Sequence, residues 1–146
     1  DGATGPTGAT GTSVTVNSMS ALNTTGGTVS VILGGTAVPL PNDQVLDGFT
    51  VNGASTTFTV PQTGTYMIAY QVHVTTALLM SSRILINGTA LAGSVISPLA
   101  AINDFSNMQL ATLAAGDTVQ LQLFGLIGAA ILQGGTAASF TIIRVS

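Results

Sequence analysis

The sequence predicts an all-β protein, built as a β-sandwich or jelly roll, and three observations support this fold class. From Val14 onwards, apolar and polar residues alternate with the two-residue period of a pleated strand. Val, Ile and Thr are abundant, and their branched side chains favour extended backbone. Glycine- and proline-rich breakers recur at short intervals, which leaves no room for a long helix. Short strands joined by turns are typical of sandwiches and jelly rolls.

Seven segments have the composition of strands, and breakers separate them. The predicted strands are 28–33, 56–60, 66–74, 83–86, 108–113, 117–124 and 138–145. The breakers are 34–35, 39–43, 61–64, 87–88, 115–116 and 134–135. Asn87-Gly88 is the strongest hairpin signal, because both residues accept the positive φ angles of a two-residue turn. Asn52-Gly53 is a weaker signal of the same kind.

The N-terminal residues follow a different pattern from the rest. Gly2, Gly5, Gly8 and Gly11 occupy every third position. A collagen triple helix requires this spacing, because only glycine fits at its crowded axis. We therefore predict that residues 1–13 are the end of a longer collagen-like Gly-X-Y stalk and that residues 14–146 are the globular head. A flexible linker is the alternative for the first segment.

Charge and cysteine content exclude several classes of function. The chain has 146 residues, of which two are Lys or Arg and five are Asp or Glu, and it has no Cys. It has no basic patch for the phosphates of a nucleic acid or for anionic lipids. Without Cys it has no disulfides and no thiolate-bound metal. The longest apolar stretch, 123–132, is well short of the ~20 residues of a membrane-spanning helix. We expect neither nucleic-acid binding nor membrane insertion.

His73 is the only histidine and the first candidate for a catalytic base. The alternation places it on the strand face opposite Val72 and Val74. A catalytic histidine needs a nucleophile and an orienting carboxylate, and no local motif supplies them. A surface or structural role is therefore favoured, although the sequence leaves open whether an Asp approaches His73 in space.

The carboxylates of the head are too few and too dispersed to indicate an enzyme. They are Asp43, Asp47, Asp104 and Asp117, mostly in turn contexts, and the chain has no Glu. Asp43 and Asp47 lack the spacing of a calcium loop, so we expect Asx turns there. Glycoside hydrolysis would require two of these residues to meet. We predict no catalytic residues, no cofactor and no structural metal.

Several segments resemble, in order, the motifs of the trimeric jelly-roll heads of complement and tumour necrosis factor type. Residues 64–68 resemble the Gly-x-Tyr-x-Phe strand of these heads, with Ile68 replacing the common Phe. Residues 87–88 resemble their Asn-Gly hairpin, and residues 113–119 resemble their Leu-x-x-Gly-Asp-x-Val strand. The resemblance implies structural roles for Gly64, Tyr66, Ile68, Asn87, Gly88, Gly116, Asp117 and Val119. It also implies that the closing strand, 140–145, runs beside the first strand, with both chain ends at one end of the head.

Gly-x-Thr triplets that lead into a charge-poor head are most similar to the collagen-like exosporium glycoproteins of BclA type from spore-forming bacteria. This resemblance implies an extracellular, spore-surface location, a homotrimer and sugars on Thr4, Thr7 and Thr10. Some animal heads of the superfamily have calcium-ligating carboxylates, which are not identifiable in this sequence. Calcium binding and receptor binding are therefore not carried over.

Two functions from different classes remain open. The leading prediction is a structural protein, in which a homotrimeric head caps a collagen-like stalk, sets its register and presents an outer surface to a host surface or a spore-coat protein. The alternative is an adhesin or phage fibre tip that recognises a host surface molecule. A polar or aromatic cluster at the apex of the head would favour recognition, and the apolar segments 76–80 and 125–132 do not provide one.

Overall fold

The computed structural model describes residues 2, 16–125 and 127–146. Thr4, Thr7 and Thr10, and all of the predicted stalk except Gly2, lie outside the described residues. The described strands are β1 (Ser18–Asn23), β2 (Gly27–Val31), β3 (Thr36–Ala37), β4 (Asn42–Asp47), β5 (Thr50–Val51), β6 (Thr57–Thr59), β7 (Gly64–Leu78), β8 (Ser81–Ile86), β9 (Thr89–Ala90), β10 (Ile102–Leu113), β11 (Thr118–Phe124), β12 (Gly128–Leu132) and β13 (Ala138–Arg144). A short 3-10 helix, Ala92–Ser94, follows β9.

The strands form two antiparallel sheets that pack face to face, which confirms the predicted all-β sandwich. In sheet 1, the order β4-β1-β13-β7 continues from β7 to β12 and β2, and β10 pairs with the opposite edge of β7. In sheet 2, the order is β5-β6-β11-β8-β9, and β3 also pairs with β11. The long strand β7 therefore organises sheet 1, because three other strands pair with it.

The core lies between the two sheets and follows the alternation of the strands. In sheet 1, β7 directs Tyr66, Ile68, Tyr70, Val72 and Val74 inward, and all five side chains are buried. In sheet 2, β11 directs Val119, Leu121 and Leu123 against them. The ring of Phe58 on β6 meets the ring of Phe140 on β13 edge to face, with their centroids 5.9 Å apart. Burial of these large side chains is the main source of stability in the head.

Tyr70 places a hydroxyl group among the buried residues of the core. It donates a hydrogen bond to the Ser94 carbonyl oxygen at 2.7 Å, and the Ser82 hydroxyl lies 2.8 Å from the phenol oxygen. Burial raises the pKa of the Tyr70 phenol above its ordinary value, and the hydrogen bond with Ser82 partly opposes this effect. Tyr70 therefore stays protonated in the folded head at a pH where an unfolded chain begins to ionise.

This raised pKa predicts a loss of stability in alkali. Above about pH 10 the unfolded chain releases the Tyr70 proton while the folded chain retains it, so the free energy of unfolding falls as pH rises. We expect a shallower fall in Tyr70→Phe, whose stability at neutral pH is also lower by about 1–3 kcal/mol because its former partners are left unpaired. Urea unfolding between pH 8 and 11 measures both effects. An unchanged alkaline slope in the variant would contradict this account.

All seven predicted strands are present, but the prediction of a breaker at 39–43 is wrong at its C-terminal end. Strand β4 begins at Asn42 and includes both Asp43 and Asp47, so neither residue occupies the expected Asx turn. Asp104 also lies in a strand, β10, and not in a turn. The reason is that β4 pairs only with β1 and none of its side chains is fully buried, so polar residues are tolerated along it.

The two ends of the described head lie side by side. Ser18 on β1 is paired with Ile143 on β13, and the Arg144 amide donates a hydrogen bond to the Asn17 carbonyl oxygen at 3.0 Å. The closing strand therefore runs beside the first strand, as expected. We call this end of the sandwich the base. The opposite end, where β7 ends at Leu78 and β12 begins at Gly128, is the apex.

Candidate functional site

The side of sheet 1 that points away from the core is the most extended candidate site. The strand pairing arranges its side chains in rows across β10, β7, β13 and β1. We define the sheet 1 outer face by the three rows Leu110-Met67-Ile143-Ser18, Met108-Ala69-Thr141-Ser20 and Ser106-Gln71-Ser139-Leu22. None of these twelve side chains carries a charge.

The middle of the sheet 1 outer face is slightly concave. Small side chains, among them Ala69, Ser106 and Ser139, line a depression of about 310 Å³. Beside it on β10, Met108 is 70% exposed and Leu110 is 62% exposed. An uncharged surface with projecting apolar side chains is suited to packing against another protein surface, because its burial removes no charged group from water.

His73 and Asp104 lie next to this face, towards the apex. They are cross-strand neighbours on β7 and β10, and His73 Nδ1 is hydrogen-bonded to Asp104 Oδ1. The structure thus brings a carboxylate to the histidine, which the sequence left open. Among the described side chains, no hydroxyl group is hydrogen-bonded to the other ring nitrogen. The pair therefore lacks the nucleophile that hydrolytic catalysis requires.

A second cluster, near the base, joins two of the sequence motifs. The side-chain amide of Asn87 donates to Asp117 Oδ1 at 2.8 Å, and its carbonyl oxygen accepts from the Thr118 amide at 2.9 Å. Asp117 Oδ2 accepts from the Ala114 amide at 2.8 Å. Gly88 and Gly116 have φ angles of 80° and 88°, which glycine adopts without strain. The Asn-Gly hairpin is confirmed, since Ile86 pairs with Thr89 across it.

The remaining motif residues also have structural positions. Ile68 and Val119 are buried in the core, and the Tyr66 hydroxyl donates to the Gln62 carbonyl oxygen at 2.6 Å. A Cβ atom at Gly64 would lie 2.5 Å from the Ser146 carbonyl oxygen, so a larger residue would displace the C-terminal segment. That these positions are family motifs stays a prediction from the resemblance.

We expect Asp117→Ala to destabilise the head by about 1–3 kcal/mol. The substitution removes the acceptor for the Ala114 amide and leaves the Asn87 amide group without its partner. Thermal unfolding of the variant, compared with the unchanged chain at equal concentration, measures the loss. Asp47→Ala is the matched control, because Asp47 is exposed on β4 and should change stability by less than about 0.5 kcal/mol. Equal effects of the two substitutions would refute the structural role of Asp117.

The described ranges contain neither a cluster of metal-ligating side chains nor a helix able to span a membrane. There, no group of three His, Asp or Glu side chains lies close enough to hold a metal ion. No helix of the described chain has the length and apolarity that a bilayer span requires. The absence of a structural metal stays a prediction, and elemental analysis of the purified head tests it.

Comparison with known proteins gives both a family and a fold. The model of the BclA C-terminal domain matches residues 19–146. Murine APRIL covers 88% of this chain and 98% of its own, at 16% identity and a TM-score of 0.65. Rabbit GITRL covers 77% of this chain and 93% of its own, at 14% identity and a TM-score of 0.56. Pika GITRL covers 77% of this chain and 96% of its own, at 16% identity and a TM-score of 0.54. No curated protein matches the sequence significantly.

The solved structures are jelly rolls of the tumour necrosis factor type, and at these identities the likeness is one of fold alone. It confirms the predicted jelly-roll sandwich. The family match is more specific, because it spans all of the described strands apart from the first residue of β1. The chain therefore belongs to the family of BclA C-terminal domains.

Proposed function

We propose that this chain is the head of a collagen-like protein of the spore surface, and that three copies assemble through the sheet 1 outer face to cap and register the stalk. Membership of the BclA C-terminal domain family supports a place on the exosporium. Neither this family nor the fold points to an enzyme. Glycosylation of Thr4, Thr7 and Thr10 belongs to the same proposal, as the family resemblance implies.

The observation that carries the proposal is the uncharged sheet 1 outer face. In a monomer, this face leaves Met108 and Leu110 exposed to water. Burial of ~1,500 Å² per subunit would contribute on the order of tens of kcal/mol before the cost of association, at about 25 cal/mol per Å². The low charge of the chain offers little electrostatic repulsion between copies.

The edge of sheet 1 also favours assembly. Strand β10 is twelve residues long and pairs only with β7, so its other edge has no strand partner within the described head. Long edge strands with exposed apolar residues associate readily unless they are covered. A neighbouring subunit that packs on the sheet 1 outer face would cover this edge as well.

The position of the base explains how such a trimer could register a stalk. Ser18, in the first row of the sheet 1 outer face, follows directly on Asn17 at the base. Packing three copies through this face therefore brings three N-terminal segments together on one side of the assembly. A collagen triple helix needs this arrangement, because its three chains start side by side with a one-residue stagger.

The decisive experiment compares the 146-residue chain with a chain that lacks residues 1–13. Four triplets contribute little to assembly compared with the sheet 1 outer face, so we expect both chains to sediment at three times the monomer mass at micromolar concentration. A folded monomer in either case would overturn the proposal. If only the 146-residue chain formed trimers, the assembly energy would lie in the triplets, and the sheet 1 outer face would not be the interface.

The alternative function, an adhesin or a phage fibre tip, shares the same trimer and differs only in what the outer surface does. The family match supports the spore surface over the phage fibre. Ligand recognition by the head concerns a different surface, the outward side of sheet 2.

A further inference from the structure

Arg83 lies on the outward side of sheet 2, near the apex, and its guanidinium group is fixed in one orientation. Its central carbon lies 3.9 Å from the centroid of the Phe124 ring, so the group rests on the aromatic face. Nε donates to Gln122 Oε1 at 2.6 Å, and Nη2 donates to the Gly34 carbonyl oxygen at 3.3 Å. The Gln122 side chain packs closely against the backbone of Gly35, where a Cβ atom would overlap it.

Much of this fixed cation is left without a partner. Within the described residues no carboxylate forms an ion pair with Arg83, and Nη1 makes no hydrogen bond. The second arginine of the chain differs, because Arg144 Nη1 is bonded to Gln62 Oε1 at 3.0 Å. A guanidinium with a free N–H edge and a preset orientation matches the two oxygens of a carboxylate and loses little entropy on binding.

An apolar depression of about 390 Å³ lies at Ser81, two residues before Arg83 on β8 and therefore on the same outward side of sheet 2. Its lining includes Leu79, Pro98 and Leu99, together with the hydroxyl-bearing Ser81 and Ser97. Ser81 is the cross-strand partner of Phe124, and Gly125, which follows Phe124, also lines the depression. Phe124 therefore connects the two features, with the cation on its ring and the depression beside its backbone.

We propose that this apical corner binds a small amphiphilic monocarboxylate. The carboxylate accepts hydrogen bonds from the free N–H groups of Arg83. The uncharged body of the ligand lies in the depression against Leu79, Pro98 and Leu99. A single cation with no second basic group nearby suits a monoanion, and the aliphatic lining suits a body with few hydroxyl groups. The site lies on sheet 2, opposite the sheet 1 outer face, so it goes beyond the proposed assembly and does not depend on it.

The test is a titration of the complete ¹⁵N-labelled chain, followed by NMR, with two matched probes. N-acetyl-leucine has the carboxylate, and N-acetyl-leucinamide is its neutral counterpart. We expect the carboxylate to bind at least fivefold more tightly, with shifts at the Arg83 Nε–H and at the amides of Gly34 and Gly125. Equal affinities, or shifts confined to other regions, would overturn the proposal.

Two substitutions locate the binding group. Arg83→Gln should abolish the preference for the carboxylate, whereas the matched control Arg144→Gln should leave it unchanged. Loss of the preference in both variants would mean that overall charge, and not this site, attracts the probe. Because Arg83→Gln also disturbs Gln122, Leu99→Glu provides a second test at a fully exposed position. It should weaken both probes, because both contact Leu99, but it should weaken the carboxylate at least fivefold more than the amide, and an unchanged carboxylate affinity would refute the proposed site.

A second pair of probes distinguishes the body of the ligand. Hexanoate has an aliphatic body and glucuronate has a hydroxylated one, and each carries a single carboxylate. Tighter binding of hexanoate would support the proposal that the uncharged part of the ligand binds in the apolar depression. Tighter binding of glucuronate would overturn the amphiphilic assignment.

Discussion

Met108→Arg should convert the proposed trimer into a folded monomer. Met108 is 70% exposed in the single chain and lies in the middle row of the sheet 1 outer face, where it is paired with Ala69. Each subunit would bury an unpaired guanidinium at the proposed interface, at a cost of about 3–5 kcal/mol per charge. Sedimentation equilibrium at micromolar concentration should then give one monomer mass instead of three.

The control places the same new charge outside the sheet 1 outer face. Leu33, just beyond β2 near the apex, is 86% exposed, so Leu33→Arg also leaves the core intact. We expect this variant to remain a trimer. If Met108→Arg also stayed trimeric, the subunits would have to meet through a different surface, and the proposed packing would be wrong.

Phe140→Ala should destabilise the folded head by about 3–5 kcal/mol. Phe140 is fully buried on β13, and its ring forms the edge-to-face contact with Phe58 that joins the two sheets. Alanine would remove this contact and leave a cavity at the centre of the sandwich. Guanidinium unfolding at a fixed chain concentration measures the change, because the stability of an assembled head depends on concentration.

Ile32→Ala serves as the comparison for Phe140→Ala. Ile32 is exposed after β2, so its truncation should cost less than about 0.5 kcal/mol. A small effect of Phe140→Ala would mean that the sheets can close around the lost ring. That result would contradict a tightly packed core.

Sequence periodicity was sufficient to predict the strands that direct large side chains into the core. Strands β7, β11 and β13 fall into this class, and all three were predicted. Strand β4 was missed because its side chains alternate between half-buried and exposed and carry little apolar signal. Strand β12 was missed for a different reason: its first three residues are Gly and Ala, whose small side chains show no clear alternation.

The candidate sites were harder to predict, because they depend on which strands become neighbours. His73 meets Asp104 only through the register of β7 and β10, which local sequence does not contain. The same holds for Arg83, which reaches Phe124 through the pairing of β8 and β11. The apolar segments 76–80 and 125–132 near the apex provide no polar or aromatic cluster. The structure forms one from two neighbouring strands instead.

The central position of β13 has a consequence for how the head is made. Of the described strands this one is synthesised last, yet it is inserted between β1 and β7. Until residues 138–144 have left the ribosome, β1 cannot join β7 and the outer face of sheet 1 is incomplete. Pairing of Ser18 with Ile143 spans almost the whole chain, and such non-local contacts slow folding to milliseconds or seconds. In the proposed trimer, assembly would therefore follow the synthesis of β13, and winding of the stalk would start at the head and proceed towards the N-terminus.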